Sequence, residues 1–299
     1  MGNGSVLLVI AMTLTPGVDA LAKVLGATHT PFQVTFLRFL AAGIVALCTA
    51  RILKIPVLVP KKGRIGQVIR TGLLVGATTC LVYALTLVPL AYAVGGFLIA
   101  PIVSTLCSVI FLRERLYAER GLGALLALIG AVIICDPVVD LRIGTVFALI
   151  GGAVLGMYLA ATRGARDAGH PLASLAAQCL LGAALVAPFA FAGGAPALRG
   201  VDWALVAALG CLAATTHVLT VAAFERADAS ALAPYLYFNL VAAIVIGVVF
   251  FGEIPTFGAV IGLLGISIGG ILSALPPSRL SKGILSGNRR IRAVLLKLP

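Results

Sequence analysis

The chain has 299 residues, of which 61% are hydrophobic and 11% are charged, and its formal net charge is +12. So apolar a composition lies outside the range of soluble globular domains and leaves no stretch for a separate soluble domain. In a soluble protein the positive charge would indicate nucleic acid binding. Here the basic residues cluster between apolar stretches and in the C-terminal segment, so we predict no nucleic acid partner.

Apolar stretches of about twenty residues recur along the whole chain. A hydrocarbon core ~30 Å thick requires ~20 apolar residues per helix, and lipid admits only helices and closed barrels. We therefore predict an all-α polytopic membrane protein with ten transmembrane helices. The predicted spans are residues 4–25, 31–53, 66–88, 91–112, 118–136, 142–163, 171–192, 201–224, 229–251 and 255–275.

The chemistry-bearing side chains argue against the two alternative functional classes, a membrane-embedded enzyme and a channel. The six cysteines lie within or at the ends of spans, without CxxC or ligand spacing, which predicts no metal. The ten acidic residues are too scattered for a membrane-embedded active site, so we predict no catalytic residues, no cofactor and no enzyme. A channel would show a polar ring or a carbonyl filter, and neither is visible. A phosphate-binding GxxxxGK[ST] motif is also missing, which favours a secondary transporter.

The distribution of Lys and Arg predicts the orientation of the helices. Alternate joints and the tail carry eighteen basic residues, whereas the opposite joints carry Lys23, Arg142 and Arg199. By the positive-inside rule, both termini should lie in the cytoplasm. An even number of spans satisfies that requirement.

An internal repeat is found when the chain is compared with itself at an offset of about 140 residues. We predict a first five-helix repeat at 1–138, a second at 139–276 and a basic cytoplasmic tail at 277–299. Five is odd, so the second repeat enters the membrane from the opposite side, and this inverted arrangement is typical of alternating access. The matching positions are His29 with His170, Arg38 with Gln178, Glu114 with Glu253, Gly123 with Gly262 and Gly130 with Gly269.

Both halves also resemble a known family. The first half contains Tyr83-Ala84-Leu85, Val88-Pro89-Leu90-Ala91 and Leu112-Arg113-Glu114-Arg115-Leu116, and the second half repeats the pattern up to Phe251-Gly252-Glu253-Ile254. This pattern resembles the EamA repeat of the drug/metabolite transporter (DMT) superfamily. Length, span number and aromatic spacing are most similar to its bacterial YddG branch, whose members export aromatic amino acids and related metabolites.

The resemblance and the inverted repeat together imply a function. We expect a secondary transporter of the bacterial inner membrane that exports small amphipathic metabolites, aromatic or other bulky amino acids, by alternating access. The alternative is a multidrug or other metabolite carrier of the same superfamily. The expected partners are the small-molecule substrate and the lipid bilayer, and the sequence leaves the oligomeric state open.

Polar side chains inside apolar spans indicate the substrate path, because each needs a partner or a wet cavity. Asn239 is the strongest candidate, since its amide can both donate and accept, and Tyr235 lies four residues before it on the same predicted helix face. A helix-to-helix hydrogen bond is the structural alternative for Asn239. The other candidate substrate-binding residues are His217, Tyr83, Thr79, Thr15, Ser104 and Arg38.

Two of these candidates have competing explanations. Arg38 could attract a substrate carboxylate or form an ion pair with Asp19, which could instead meet Lys23 on its own helix. His217 could bind substrate or carry a proton, or it could be a neutral side chain bonded to a carbonyl. Glu253 and its counterpart Glu114 lie at joints, where we expect them to cap or pair.

Glycine and proline predict where helices bend and where they pack closely. Pairs of glycines spaced by three residues should let helix backbones approach in lipid, at Gly72-xxx-Gly76, Gly152-xxx-Gly156 and Gly265-xxx-Gly269. We predict bends or loosened turns at Pro16 and Gly17 in the first span, at Gly95, Gly96 and Pro101 in the fourth, and at Pro234 in the ninth.

Overall fold

The structure is a computed structural model and describes residues 3–57, 64–111, 118–135, 143–163, 171–224, 226 and 233–274. These residues form helices and joints and contain no strand, which confirms the all-α prediction. The basic tail and Glu114 lie outside the described residues. The helices are α1 Asn3–Leu25, α2 Pro31–Ile52, α3 Arg64–Leu87, α4 Leu90–Phe97, α5 Ala100–Phe111, α6 Ala118–Cys135, α7 Ile143–Arg163, α8 Pro171–Phe191, α9 Val201–Phe224, a 3₁₀ helix Ala233–Tyr237, α10 Phe238–Phe251 and α11 Phe257–Ala274.

The outer surface of the bundle is apolar. Six of the described helices, namely α1, α2, α3, α7, α8 and α9, are long and apolar enough to cross a membrane. Large side chains such as Phe250 and Phe257 point outward and are 77% and 82% exposed. An apolar surface on this scale requires a lipid environment.

Two predicted spans are interrupted. The fourth is divided between α4 and α5 at Leu98 and Ile99, close to Gly95, Gly96 and Pro101, whose role as flexible positions stays a prediction. In the ninth, where a bend or loosened turn was predicted at Pro234, a 3₁₀ turn at Ala233–Tyr237 precedes α10. Pro234 lies in that turn, where the tighter winding replaces the α-helical register.

Local sequence determines where α2 begins and where α10 ends. Thr30 caps α2 by accepting from Gln33 N, while the Gln33 side chain accepts from Thr30 N, and Pro31 holds the first helical position. At the end of α10, Gly252 adopts a left-handed conformation with φ 65°. Glu253 N then donates to the Gly247 carbonyl at 2.9 Å, so the chain reverses sharply and Glu253 turns back over the bundle.

The joints that follow odd-numbered spans meet at one end of the bundle. Gln33 Nε2 donates to the Gly194 carbonyl at 3.2 Å, and the Cβ position of Gly144 lies 2.7 Å from Val88 Cγ1. Lys23 likewise pairs with Glu253. We call this end the Lys23 end. The described chain therefore starts and finishes at the opposite end; that this opposite end is cytoplasmic stays a prediction.

The packing of the bundle is symmetric under exchange of the two halves. Helix α2 packs on α8, and α6 packs on α11, so equivalent helices of the halves meet each other. The contact of α1 with α9 has its counterpart in that of α7 with α3. This is the arrangement expected of two inverted five-helix repeats. The domain boundaries after residues 138 and 276 fall outside the described residues and stay a prediction.

Two of the three glycine pairs create close helix contacts. A Cβ at Gly269 would lie 2.5 Å from the Gly123 carbonyl oxygen, and one at Gly156 would lie 2.7 Å from the Ala100 carbonyl oxygen. Within the described part of the chain, no atom of another element lies within 4 Å of the Cβ position of Gly72, so the packing predicted for Gly72-xxx-Gly76 is wrong. Spacing alone did not reveal which face of α3 looks outward.

Candidate functional site

A cavity of about 230 Å³ lies between the two halves. Thr15 and Val18 of α1 and Arg38 of α2 belong to the first half, and α9 of the second half supplies the opposite wall. On α9 the lining residues are Ala213, Thr216, His217 and Thr220. The structure therefore brings together three of the predicted site residues, Thr15, Arg38 and His217. Their role in substrate binding stays a prediction.

The three threonines present acceptor oxygens to this cavity. Thr15 Oγ1 donates to the Ala11 carbonyl at 2.8 Å, and Thr220 Oγ1 donates to the Thr216 carbonyl at 2.7 Å. Thr216 Oγ1 donates to the Ala213 carbonyl at 3.0 Å. Each hydroxyl donates its hydrogen to a backbone carbonyl of its own helix, so the lone pairs of the hydroxyl oxygen remain free to accept a hydrogen bond from a ligand.

Arg38 is the cation of the cavity wall, and Asp19 lies behind it. Arg38 Nη1 donates to Asp19 Oδ1 at 2.9 Å, and the side chains are 20% and 5% exposed, respectively. This contact confirms the predicted pairing with Asp19 and shows that Lys23 is not the partner of Asp19. Arg38 does not bond to any other described residue, so further guanidinium N–H groups remain for a ligand.

His217 lines the same cavity from α9. Among the described residues it has no hydrogen-bond partner, so the alternative of a histidine fixed by a neighbouring carbonyl is not what this structure contains. An imidazole without a fixed partner can donate from one ring nitrogen and accept at the other. Next to Arg38 and the threonine oxygens, it extends the polar lining along α9.

A half-buried ion pair lies at the Lys23 end of the bundle. Lys23 Nζ lies 2.7 Å from Glu253 Oε1 and also donates to the Val88 carbonyl at 2.7 Å. Glu253 Oε2 accepts from Leu90 N at 2.7 Å, which satisfies an N–H group that α4 leaves unpaired at its start. The pairing predicted for Glu253 is confirmed. This cluster ties α1 and α4 to the joint between α10 and α11.

Tyr83 and Thr79 lie on α3, away from the cavity. Tyr83 stacks on Phe147 with ring centroids 5.3 Å apart and meets the edge of Phe32 at 6.0 Å. Thr79 is buried and donates to the Val75 carbonyl at 2.8 Å. The structure therefore places both in the packing of α3 with its neighbours, and their proposed contact with substrate stays untested.

Tyr235 lies in the 3₁₀ turn and Asn239 in the first turn of α10, and the helix face predicted to be common to both stays a prediction. Tyr235 packs against Leu8 and Met12 and stacks on Phe238 with centroids 6.3 Å apart. The Asn239 Oδ1 atom is buried and has no partner among the described residues. The helix-to-helix hydrogen bond considered for this oxygen is thus not formed within the described part of the chain.

The remaining candidates do not line the cavity. Helix α1 continues through Pro16 and Gly17 without interruption, and Pro16 cannot donate the bond that the Met12 carbonyl would accept. The break after α4 is covered by α7, since the Cβ position of Gly152 lies 2.8 Å from the Phe97 carbonyl. Ser104 is buried at the contact of α5 with α7, and its hydroxyl has no partner among the described residues.

Sequence reasoning missed Thr220 and did not place Thr216 among the candidate substrate-binding residues, although Thr216 lies directly before His217. Both line the cavity and lie four residues apart, which places them on one face of α9. Two hydroxyls at this spacing beside His217, on a largely apolar helix, were the signal that could have found them. The described residues contain no group of three or more His, Cys, Asp or Glu side chains that could hold a metal ion.

Comparisons with known proteins agree with this architecture. The EamA-like transporter family matches the chain twice, at residues 2–135 and 142–275. A riboflavin transporter of Brucella anthropi is 28% identical over 200 residues, which are 64% of this chain and 69% of that protein. A crystal structure of another protein has a TM-score of 0.62 at 23% identity and covers 91% of this chain and 98% of that one. At this identity, the likeness to the crystal structure shows the fold alone.

Proposed function

We propose that this chain, which belongs to the EamA-like transporter family, is a secondary carrier that exports small amphipathic metabolites by alternating access. The substrate class we propose is amino acids with aromatic or other bulky apolar side chains. The cytoplasmic membrane of a bacterium is the proposed location, with both termini in the cytoplasm. The single observation that carries the proposal is the polar cavity between the two halves.

The position of the cavity supports a carrier rather than a fixed binding module. Its walls come from α1, α2 and α9, so a rocking movement of one half against the other would open or close it. At the Lys23 end the ion pair of Lys23 with Glu253 holds neighbouring elements together. A carrier needs such a releasable contact on each side of its site.

The size and lining of the cavity support a small polar headgroup. A volume of about 230 Å³ is below the ~300–1,000 Å³ typical of drug-sized ligands. The walls combine donors on Arg38 and His217 with acceptor oxygens on threonines. A riboflavin-like metabolite is the second candidate, and the relative from Brucella anthropi is the observation that favours it.

Counterflow in proteoliposomes tests the proposal. Vesicles containing the purified chain are loaded with unlabelled compound, and the uptake of a labelled trace is followed for aromatic amino acids, branched amino acids and riboflavin. A carrier should show saturable uptake that rises transiently above equilibrium, which protein-free vesicles lack. Conductance without counterflow would indicate a channel, and chemical conversion of the labelled compound would indicate an enzyme.

Asn239 supplies a second, independent prediction. If its amide holds the substrate headgroup in one state of the cycle, Asn239→Leu should abolish counterflow. The same variant should not lower the melting temperature. A buried acceptor without a partner destabilises a fold by about 1–3 kcal/mol, and the variant removes such an atom, Asn239 Oδ1. Unchanged transport would remove Asn239 from the site. A large loss of stability would instead indicate a partner in another part of the structure.

A further inference from the structure

The first two helices of each half are joined by a polar contact, but only the contact in the first half is charged. In the first half, Arg38 Nη1 donates to Asp19 Oδ1 at 2.9 Å and links α2 to α1. In the second half, Tyr158 Oη donates to Gln178 Oε1 at 3.2 Å and links α7 to α8. Arg38 matches Gln178 in the repeat, and their partners lie nineteen and twenty residues earlier. A neutral hydrogen bond is therefore enough to join these helices.

The presence of two charges between α1 and α2 therefore requires an explanation other than helix packing. Burying two charges costs several kcal/mol of solvation per ion before their attraction is counted, and charged residues inside membranes are expensive. The neutral contact of the second half avoids that cost. Arg38 lines the cavity, so the charge lies where a substrate can reach it.

The orientation of the pair fits recognition of an anion. Asp19 is almost fully buried at 5% exposure and holds Nη1 of the guanidinium from behind, while Arg38 is 20% exposed. A guanidinium has five N–H donors in a fixed fork, which suits the two oxygens of a carboxylate. The hydroxyl oxygens of Thr15, Thr216 and Thr220 can accept from an ammonium group in the same cavity.

We infer that Arg38 binds the carboxylate of the transported molecule and that Asp19 is a positioning residue that orients and partly neutralises Arg38. The substrate class is then the zwitterionic α-amino acid, whose carboxylate meets Arg38 and whose ammonium meets the threonine oxygens. This inference rests on the proposed carrier function and adds the part of the substrate that is recognised.

The test compares L-phenylalanine with L-phenylalaninamide, which keeps the ring and the amine and lacks the carboxylate. In counterflow, the intact chain should prefer the acid by ~10-fold or more, as expected for bonds to a charged group. Asp19→Asn/Arg38→Gln keeps a neutral pair like that of the second half and should bring the ratio of acid to amide uptake close to one. Arg38→Lys keeps the charge without the planar fork and should lower the ratio by about 3-fold or more.

The second half provides the matched control. Tyr158→Phe removes the corresponding contact between α7 and α8 and should leave the ratio of acid to amide uptake unchanged. A general effect of a lost helix contact would reduce uptake of both compounds in either half. Only carboxylate recognition changes the ratio, and only in the first half.

Each outcome decides the inference. Equal uptake of acid and amide by the intact chain overturns it, as does a preference that survives unchanged in both Arg38 variants. If the double variant gives no monodisperse gel-filtration peak, the ratio in Arg38→Lys decides. If the intact chain carries riboflavin but neither phenylalanine compound, the inference fails and the carrier function stands. If it carries no compound of the panel, both fail.

Discussion

Gly269→Ala is expected to destabilise the protein, whereas Gly72→Ala should leave its stability unchanged or slightly raised. A Cβ at Gly269 would lie 2.5 Å from the Gly123 carbonyl oxygen and 2.6 Å from Ala127 N. These are backbone atoms of α6, so relief requires moving a whole helix. Overpacking of this kind costs about 1–3 kcal/mol, or roughly 2–10 °C in melting temperature for a chain of this size.

The control differs from the test variant only in its surroundings. No atom of another described element lies within 4 Å of the Cβ position of Gly72, and alanine is a better helix former than glycine by about 1 kcal/mol. In detergent, the melting temperature of purified Gly269→Ala should therefore fall below that of the unmodified chain, whereas that of Gly72→Ala should stay the same or rise. Equal melting temperatures would mean that α6 and α11 are not in close backbone contact.

Glu253→Ala is expected to lower stability by about 2–3 kcal/mol, because it leaves two partners unsatisfied. Lys23 loses the carboxylate at 2.7 Å, and Leu90 N loses the oxygen it donates to at 2.7 Å. Lys23 keeps its bond to the Val88 carbonyl and its position 5.6 Å from the centre of the Phe251 ring, which limits the loss. The melting temperature in detergent measures the effect.

A double variant distinguishes the energy lost with the ion pair from the cost of leaving Lys23 without its carboxylate partner. Lys23→Met/Glu253→Gln removes both charges and keeps an acceptor for Leu90 N, so it should recover most of the stability lost in Glu253→Ala. If the double variant melts at as low a temperature as Glu253→Ala, the loss of stability does not come from leaving Lys23 unpaired but from other contacts of the Glu253 carboxylate. If Glu253→Ala melts like the unmodified chain, this pair does not hold the Lys23 end together.

The inverted repeat makes the protein its own comparison. Helix pairs recur in both halves, so a residue that breaks the symmetry stands against a counterpart in the same packing environment. Arg38 with Asp19 against Gln178 with Tyr158 is such a case. Either pair could join the two helices, so the charge of the Arg38–Asp19 pair is the feature that helix packing does not explain.

The sequence by itself determined the ten spans and their approximate boundaries, because the length of an apolar stretch is a local property set by the thickness of the membrane. It also determined the duplication. It placed Gly252 and Glu253 at a joint, and it predicted a loosened turn at Gly95, Gly96 and Pro101, close to the break between α4 and α5. Family membership followed from the same local patterns, repeated at the correct spacing.

Only the tertiary structure decided which polar groups meet. Lys23 pairs with Glu253 from the far end of the chain rather than with Asp19 on its own helix, and Thr220 enters the cavity while Tyr83 does not. In lipid, helix association depends on close contact of small residues and on polar pairing between helices that are distant in sequence. Periodicity reports the face of one helix, but the neighbour that covers that face is settled only when all the helices pack together.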